Sequence, residues 1–147
     1  MKQEDNELFL KDLCARLPYM VKGDAKGIIQ YILNVPIDME PEVLTNIDLD
    51  TNTYGVSRQR GIPLYNRKGE INFKPYLFPL SSMTDEQKRE YDKIIYHSIE
   101  LHHREYSDIV EIDLFDDLQD FYCKNHLDYR GLIPKGLAID ATDKNIY

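Results

Sequence analysis

The chain has 147 residues, of which 42% are hydrophobic and 30% charged, with a net charge of −8. That composition fits one folded domain of ordinary size and excludes a disordered or collagen-like chain. The acidic balance opposes casual binding to nucleic acid or anionic membrane, except in residues 55–80, which carry five basic and one acidic side chain.

The first residues, Met1 to Glu7, are polar and acidic, without the basic start and apolar run of a signal peptide. No apolar run approaches the roughly 18 residues that a membrane-spanning helix needs. A cytoplasmic location is the expectation. Cys14 and Cys123 lie far apart on segments that read as helices, so free, reduced thiols are expected.

The spacing predicts a helix over Asn6–Leu17. Leu10, Leu13, Cys14 and Leu17 fall at i, i+3, i+4 and i+7 on one face, and Pro18 ends the helix. Tyr19-Met20-Val21 and Ile28–Val35, around the polar turn Gly23–Gly27, read as a β-hairpin. Pro36 and Pro41 bracket an acidic loop, and the alternation in Val43–Leu49 suggests a third strand. Thr51–Arg60 reads as a loop. A second hairpin pairs Ile62–Tyr65 with Glu70–Phe73 through the turn Asn66–Gly69, with Pro63 placing the first arm at an edge. Lys74–Pro79 is too rich in proline for a central strand and reads as an extended strap.

A long helix follows over Asp85–Tyr106. Thr84 and Gln87 form a capping box, and Tyr91, Ile94, Ile95, Ser98, Leu101 and His102 share a side. A last helix is expected over Ile112–Asn125, with Leu114, Phe115, Leu118, Phe121 and Tyr122 as its apolar stripe. A short strand is expected at Leu137–Ile139. With no internal repeat, residues 1–147 read as a single α+β domain. Its small antiparallel sheet of two hairpins, with a third strand, has three helices packed on one face.

Four features are candidates for chemistry. Asp113, Asp116, Asp117 and Asp120 lie within roughly 100° of one another on the last helix. They read either as a solvated face or as a docking face for a basic partner. Arg58, Arg60, Arg67, Lys68 and Lys74, interleaved with Tyr54, Tyr65, Phe73 and Tyr76, form a basic aromatic hairpin of the kind used on single-stranded nucleic acid. An ordinary exposed hairpin is the plainer reading. His97, Glu100 and His103 contain one Glu-x-x-His spacing, half of what a carboxylate-bridged metal bundle requires. Asp24-Ala25-Lys26 has the Asp-x-Lys spacing of some nucleases but reads as a solvated turn. No Cys-x-x-Cys, His-Glu-x-x-His, Gly-x-Ser-x-Gly or phosphate-binding glycine loop occurs.

Three strings carry a family signal: Lys11-Asp12-Leu13-Cys14-Ala15-Arg16-Leu17-Pro18-Tyr19, Lys74-Pro75-Tyr76-Leu77-Phe78-Pro79-Leu80-Ser81-Ser82-Met83-Thr84, and His126-Leu127-Asp128-Tyr129-Arg130-Gly131-Leu132-Ile133-Pro134-Lys135-Gly136-Leu137-Ala138. They resemble a group of short proteins, with no activity attached to them, found in Bacteroidetes chromosomes, prophages and phages. That group often has a tryptophan and a His-His pair before its Asp-Tyr-Arg-Gly-Leu-Ile run. Here there is no tryptophan, and Asn125-His126 stands in that place. The resemblance implies a mobile-element setting, in which small acidic proteins bind and modulate other proteins. Tyr129 and Arg130 join the four aspartates as candidate partner-binding residues. Arg130 is alternatively a clamp onto Asp128 or the acidic helix.

The leading expectation is a non-catalytic, acidic interaction protein with a protein partner and no cofactor. A small metal-dependent hydrolase built on His97, Glu100 and His103 is the alternative. A nucleic-acid-binding protein using the basic hairpin 58–74 is the second alternative.

Overall fold

A computed structural model describes residues 2–25, 41–102 and 107–147, with the backbone alone at 101, 102 and 107–113. Helix α1 spans Gln3–Arg16 and tightens into a 3₁₀ turn over Leu17–Tyr19. Pro18 is tolerated there because the start of a helical turn has no use for its missing amide. The chain then leaves through Met20 in the left-handed region, φ 54°.

The buried face of α1 differs from the expected one. Phe9, Asp12, Leu13 and Arg16 are buried, while Cys14 is exposed. The stripe is shifted by one residue, which is about 100° of rotation. Phe9 has more apolar surface to hide than Leu10, and Asp12 with Arg16 neutralise each other one helical turn apart.

Among the described residues the sheet has six strands: β1 (Lys22–Ala25), β2 (Glu42–Asp48), β3 (Thr53–Val56), β4 (Ile62–Pro63), β5 (Phe73–Leu77) and β6 (Ile139–Asp140). Their order is β4-β3-β2-β1-β5-β6, antiparallel throughout except for the parallel pair β5–β6. The α+β class is as expected, with more strands than expected. Strand β2 matches its expected position. The second hairpin forms with Pro63 on the edge strand, a Tyr65–Ile71 bridge, and Gly69 at φ 77°. The Asn66 side-chain oxygen accepts the amides of Lys68 and Glu70, which fixes that turn.

Three segments depart from the sequence reading. Gly23, Asp24 and Ala25 form strand β1 and not a polar turn; the expected partner arm Ile28–Val35 lies outside the described residues. Thr53–Val56 is a strand and not part of a loop, because Tyr54 and Val56 carry enough apolar surface to bury almost completely. The strap is largely strand β5, set between β1 and β6. Pro75 is accommodated because β6 pairs with Tyr76 and Leu77 only. Opposite Pro75 stands Gly23, and the Phe73 ring lies over that glycine: a Cβ there would stand 2.2 Å from Phe73 Cζ.

One apolar core follows from this sheet. Phe9 and Leu13 of α1, with Leu132, Leu137 and Ala138, cover Leu44, Tyr54, Leu64, Phe73 and Leu77. The segment after residue 130 thus shares the covering layer with α1.

Helices α2 (Asp85–His102) and α3 (Ser107–Lys124) form an antiparallel hairpin. The capping box is present: Thr84 N donates to Gln87 Oε1 at 2.9 Å, and Gln87 N donates to Thr84 Oγ1 at 3.1 Å. Gln87 reaches Asn125, Lys124 pairs with Glu90 at 2.6 Å, and the Tyr91 ring packs on Phe121 and Tyr122. Helix α3 begins five residues before its expected start. Helix α2 packs on α3, and none of its described side chains reaches core burial. No helix among the described residues is long and apolar enough to cross a membrane.

Candidate functional site

The three strings that stand out in the sequence meet in space. Phe78 N donates to His126 O and Asp128 N donates to Phe78 O, both at 2.8 Å, so the middle of the second string pairs with the start of the third. From the first string, Arg16 Nη2 donates to the carbonyl of Leu127 at 2.7 Å.

Arg16 is the centre of this junction and is fully buried. Its Nε donates to Asp12 Oδ2 at 2.6 Å and its Nη2 to Oδ1 at 3.2 Å. Arg130 Nε stands 3.4 Å from Asp12 Oδ1, so one buried carboxylate faces two guanidinium groups. Burial pushes the Asp12 carboxyl up, against the pull of Arg16 and Arg130. Burial also works against the Arg16 cation, and the Asp12 carboxylate more than offsets it. The Tyr129 ring stacks on Tyr122 at 4.9 Å and 7°, and lies under Arg130 at 4.8 Å and Arg16 at 5.5 Å. Asp128 accepts the amides of Leu132 and Ile133 at 2.7 and 2.9 Å, which folds the chain over just before Leu137 enters the core.

No family model, curated protein or solved structure matches this chain. Its chemistry therefore has to be read from the geometry. Asp12, Arg16, Asp128 and Arg130 are all engaged within the chain, with Arg16 Nη1 the one guanidinium nitrogen there buried without a partner. The Cys123 thiol beside Tyr129 is pushed up by burial and stays protonated, which removes its nucleophilicity. The junction is a framework that ties α1, β5 and the 126–138 segment together. Arg130 clamps Asp12 of α1, and not Asp128 or the acidic helix as expected. Sequence reasoning missed Asp12 and Arg16. Their signal was an opposite-charge pair at i, i+4 flanked by Phe9 and Leu13, a pattern that reads equally well as a surface pair.

The expected acidic face is divided. Asp116 and Asp117 are exposed. Asp120 accepts the Tyr19 hydroxyl at 2.5 Å, and this contact raises the phenol to about 12 and pins α3 to the turn after α1. The side chain of Asp113 lies outside the described ones. Phe115, expected in the apolar stripe, is instead 76% exposed, beside the exposed Asp116 and Asp117. On α2, Tyr96 is 64% and Ile99 50% exposed. The antiparallel alignment set by Gln87–Asn125 and Tyr91–Phe121 brings Ile99 about level with position 113 of α3, just before Leu114 and Phe115. This end of the hairpin is both apolar and acidic.

Among the described residues, the remaining candidates are not gathered into a site. His97 and Glu100 are exposed on α2, and His103 lies outside the described residues. Among the described residues, no three His, Cys, Asp or Glu side chains are placed to share a metal ion. Asp24 stands on β1 across from Lys74, which gives that cation of the basic group a carboxylate neighbour. Arg58 pairs with Glu42 at 2.9 Å. Arg60, Arg67 and Lys68 are exposed, the last two at the tip of the hairpin turn. Of the interleaved aromatics, Tyr54 and Phe73 point into the core, so their rings are not offered for base stacking.

Proposed function

We propose that this chain is a non-catalytic interaction protein whose docking element is the α2–α3 hairpin. Its partner is a protein with a basic, partly apolar surface, met in the cytoplasm of a cell that carries the mobile element. The observation that carries this reading is the state of α2. An 18-residue helix that packs chiefly on α3 and buries none of its described side chains completely leaves apolar surface for a second protein to cover. The exposed Tyr96, Ile99 and Phe115 supply that surface. The neighbouring Asp116 and Asp117 favour cationic partners over anionic ones.

The test compares wild-type chain with two variants as bait in host lysate: Ile99→Ser/Phe115→Ser and Asp116→Lys/Asp117→Lys. The expected result is a defined protein retained by the wild type and lost from both variants, with circular dichroism unchanged. Retention that ignores both changes, or no retained protein at all, ends the reading.

A further inference from the structure

Residues 141–147 fold back across the sheet. Ala141 N donates to Leu77 O at 2.8 Å, and Lys22 Nζ donates to Ile146 O at 2.9 Å. The Tyr147 hydroxyl accepts the amide of Lys22 at 3.0 Å and donates to the carbonyl of Tyr76 at 2.9 Å, so one phenol spans the β1–β5 seam. The Tyr147 ring lies flat on the His126 imidazole, with centroids 3.7 Å apart and planes 10° from parallel, and leans on Phe78. His126 is held from below at φ 53°. Its amide is bonded to Cys123 O at 3.1 Å, and its carbonyl accepts Phe78 N.

We propose that His126 and Tyr147 form an acid-released latch: a proton on the imidazole expels the Tyr147 ring from the seam, and residues 144–147 leave with it. The neutral imidazole suits this place because His126 Nδ1 is buried without a hydrogen-bond partner from the protein. In the imidazolium both ring nitrogens are donors, so a proton adds a demand that the packed site does not meet. The charges that bear on His126 are the cations of Arg16 from α1 and Lys22 from β1. The Tyr147 ring would welcome a cation over its face. Burial and the two cations outweigh that attraction and hold the imidazole down at about 4. Once Tyr147 departs, water reaches the covered face of His126, and the Phe78–Leu127 pairing beneath becomes more exposed.

Proton NMR on the full chain between pH 7 and 3.5 tests the latch, with circular dichroism recorded alongside. The ring signals of His126 and Tyr147 should move together, with one midpoint near 4, while secondary structure persists. Tyr147→Leu should raise the His126 midpoint by at least one unit toward the ordinary value of about 6.5, because docking and protonation oppose each other reciprocally. His126→Phe keeps a ring in the stack but accepts no proton, so residues 144–147 should stay docked throughout. A Tyr147 ring that stays docked while His126 titrates overturns the proposal. So does a His126 midpoint unmoved by Tyr147→Leu, or release at the same pH in His126→Phe. Loss of secondary structure together with the ring signals overturns it as well.

Discussion

The guanidinium of Arg16, at the last turn of α1, holds the backbone carbonyl of Leu127 at 2.7 Å across 111 positions of sequence. The same side chain binds Asp12 through two nitrogens. Arg16→Ala leaves the buried Asp12 carboxylate with Arg130 alone, 3.4 Å away, and an unpaired carbonyl, and should cost about 3–5 kcal/mol in urea unfolding. The double change Asp12→Leu/Arg16→Met removes both charges and should cost less than Arg16→Ala alone. Equal losses in the two proteins would show that packing, and not charge pairing, sets the value of this site.

Asp128 acts through two backbone amides, those of Leu132 and Ile133. Asp128→Ala should destabilise the fold by about 1–3 kcal/mol. Asp128→Asn, which keeps one accepting oxygen, should lose less. The comparison is made by chemical denaturation at neutral pH, and an asparagine variant as weak as the alanine one would contradict it.

Gly23 lies beneath the Phe73 ring with no space for a methyl group. Gly23→Ala should cost about 1–3 kcal/mol through displacement of that ring. Adding Phe73→Leu should recover part of the loss, a coupling that a double-mutant cycle measures directly.

The half-buried imidazole of His126 makes stability depend on acid. Its folded value is about 4, and the unfolded chain takes up the proton at the ordinary 6.5. Between those values the unfolded state binds more protons, so stability rises with pH there and falls as pH drops from about 6.5 toward 4. The loss from this group reaches at most about 3 kcal/mol. Urea midpoints across that window should decline in the wild type, and should decline less in His126→Phe.

Phe115 and Phe121 sit on the same helix with opposite exposure, 76% against 2%. Phe115→Ser should change stability by no more than about 0.5 kcal/mol, whereas Phe121→Ala should lose about 3–5 kcal/mol. Thermal melts of the two variants separate the exposed end of the hairpin from its anchored end.

Local signals carried much of the fold. Thr84 and Gln87 announced the start of α2, Asn66 and Gly69 announced their turn, and Pro63 announced an edge. What stayed hidden depends on partners distant in sequence. Lys74–Leu77 looks unsuited to a sheet interior until Gly23 and Ile139 are known to flank it. The burial of Asp12 and Arg16 becomes sensible only when Leu127 and Arg130 arrive from the other end of the chain. The candidate docking surface was half legible. The carboxylates of α3 were visible, but the exposure of Phe115 and Ile99 depends on how the hairpin packs in the folded chain, and helical periodicity carries no information about that packing.

The parallel contact of Tyr76 with Ile139 has a kinetic side. The edge of β5 waits for a neighbour separated from it by the whole helical hairpin, and that loop must close before any reward is gained. Completion of the sheet is therefore a late event in folding. Until it occurs, Phe73 and Leu77 lie beside an open strand edge, the arrangement most prone to pairing with another unfinished chain.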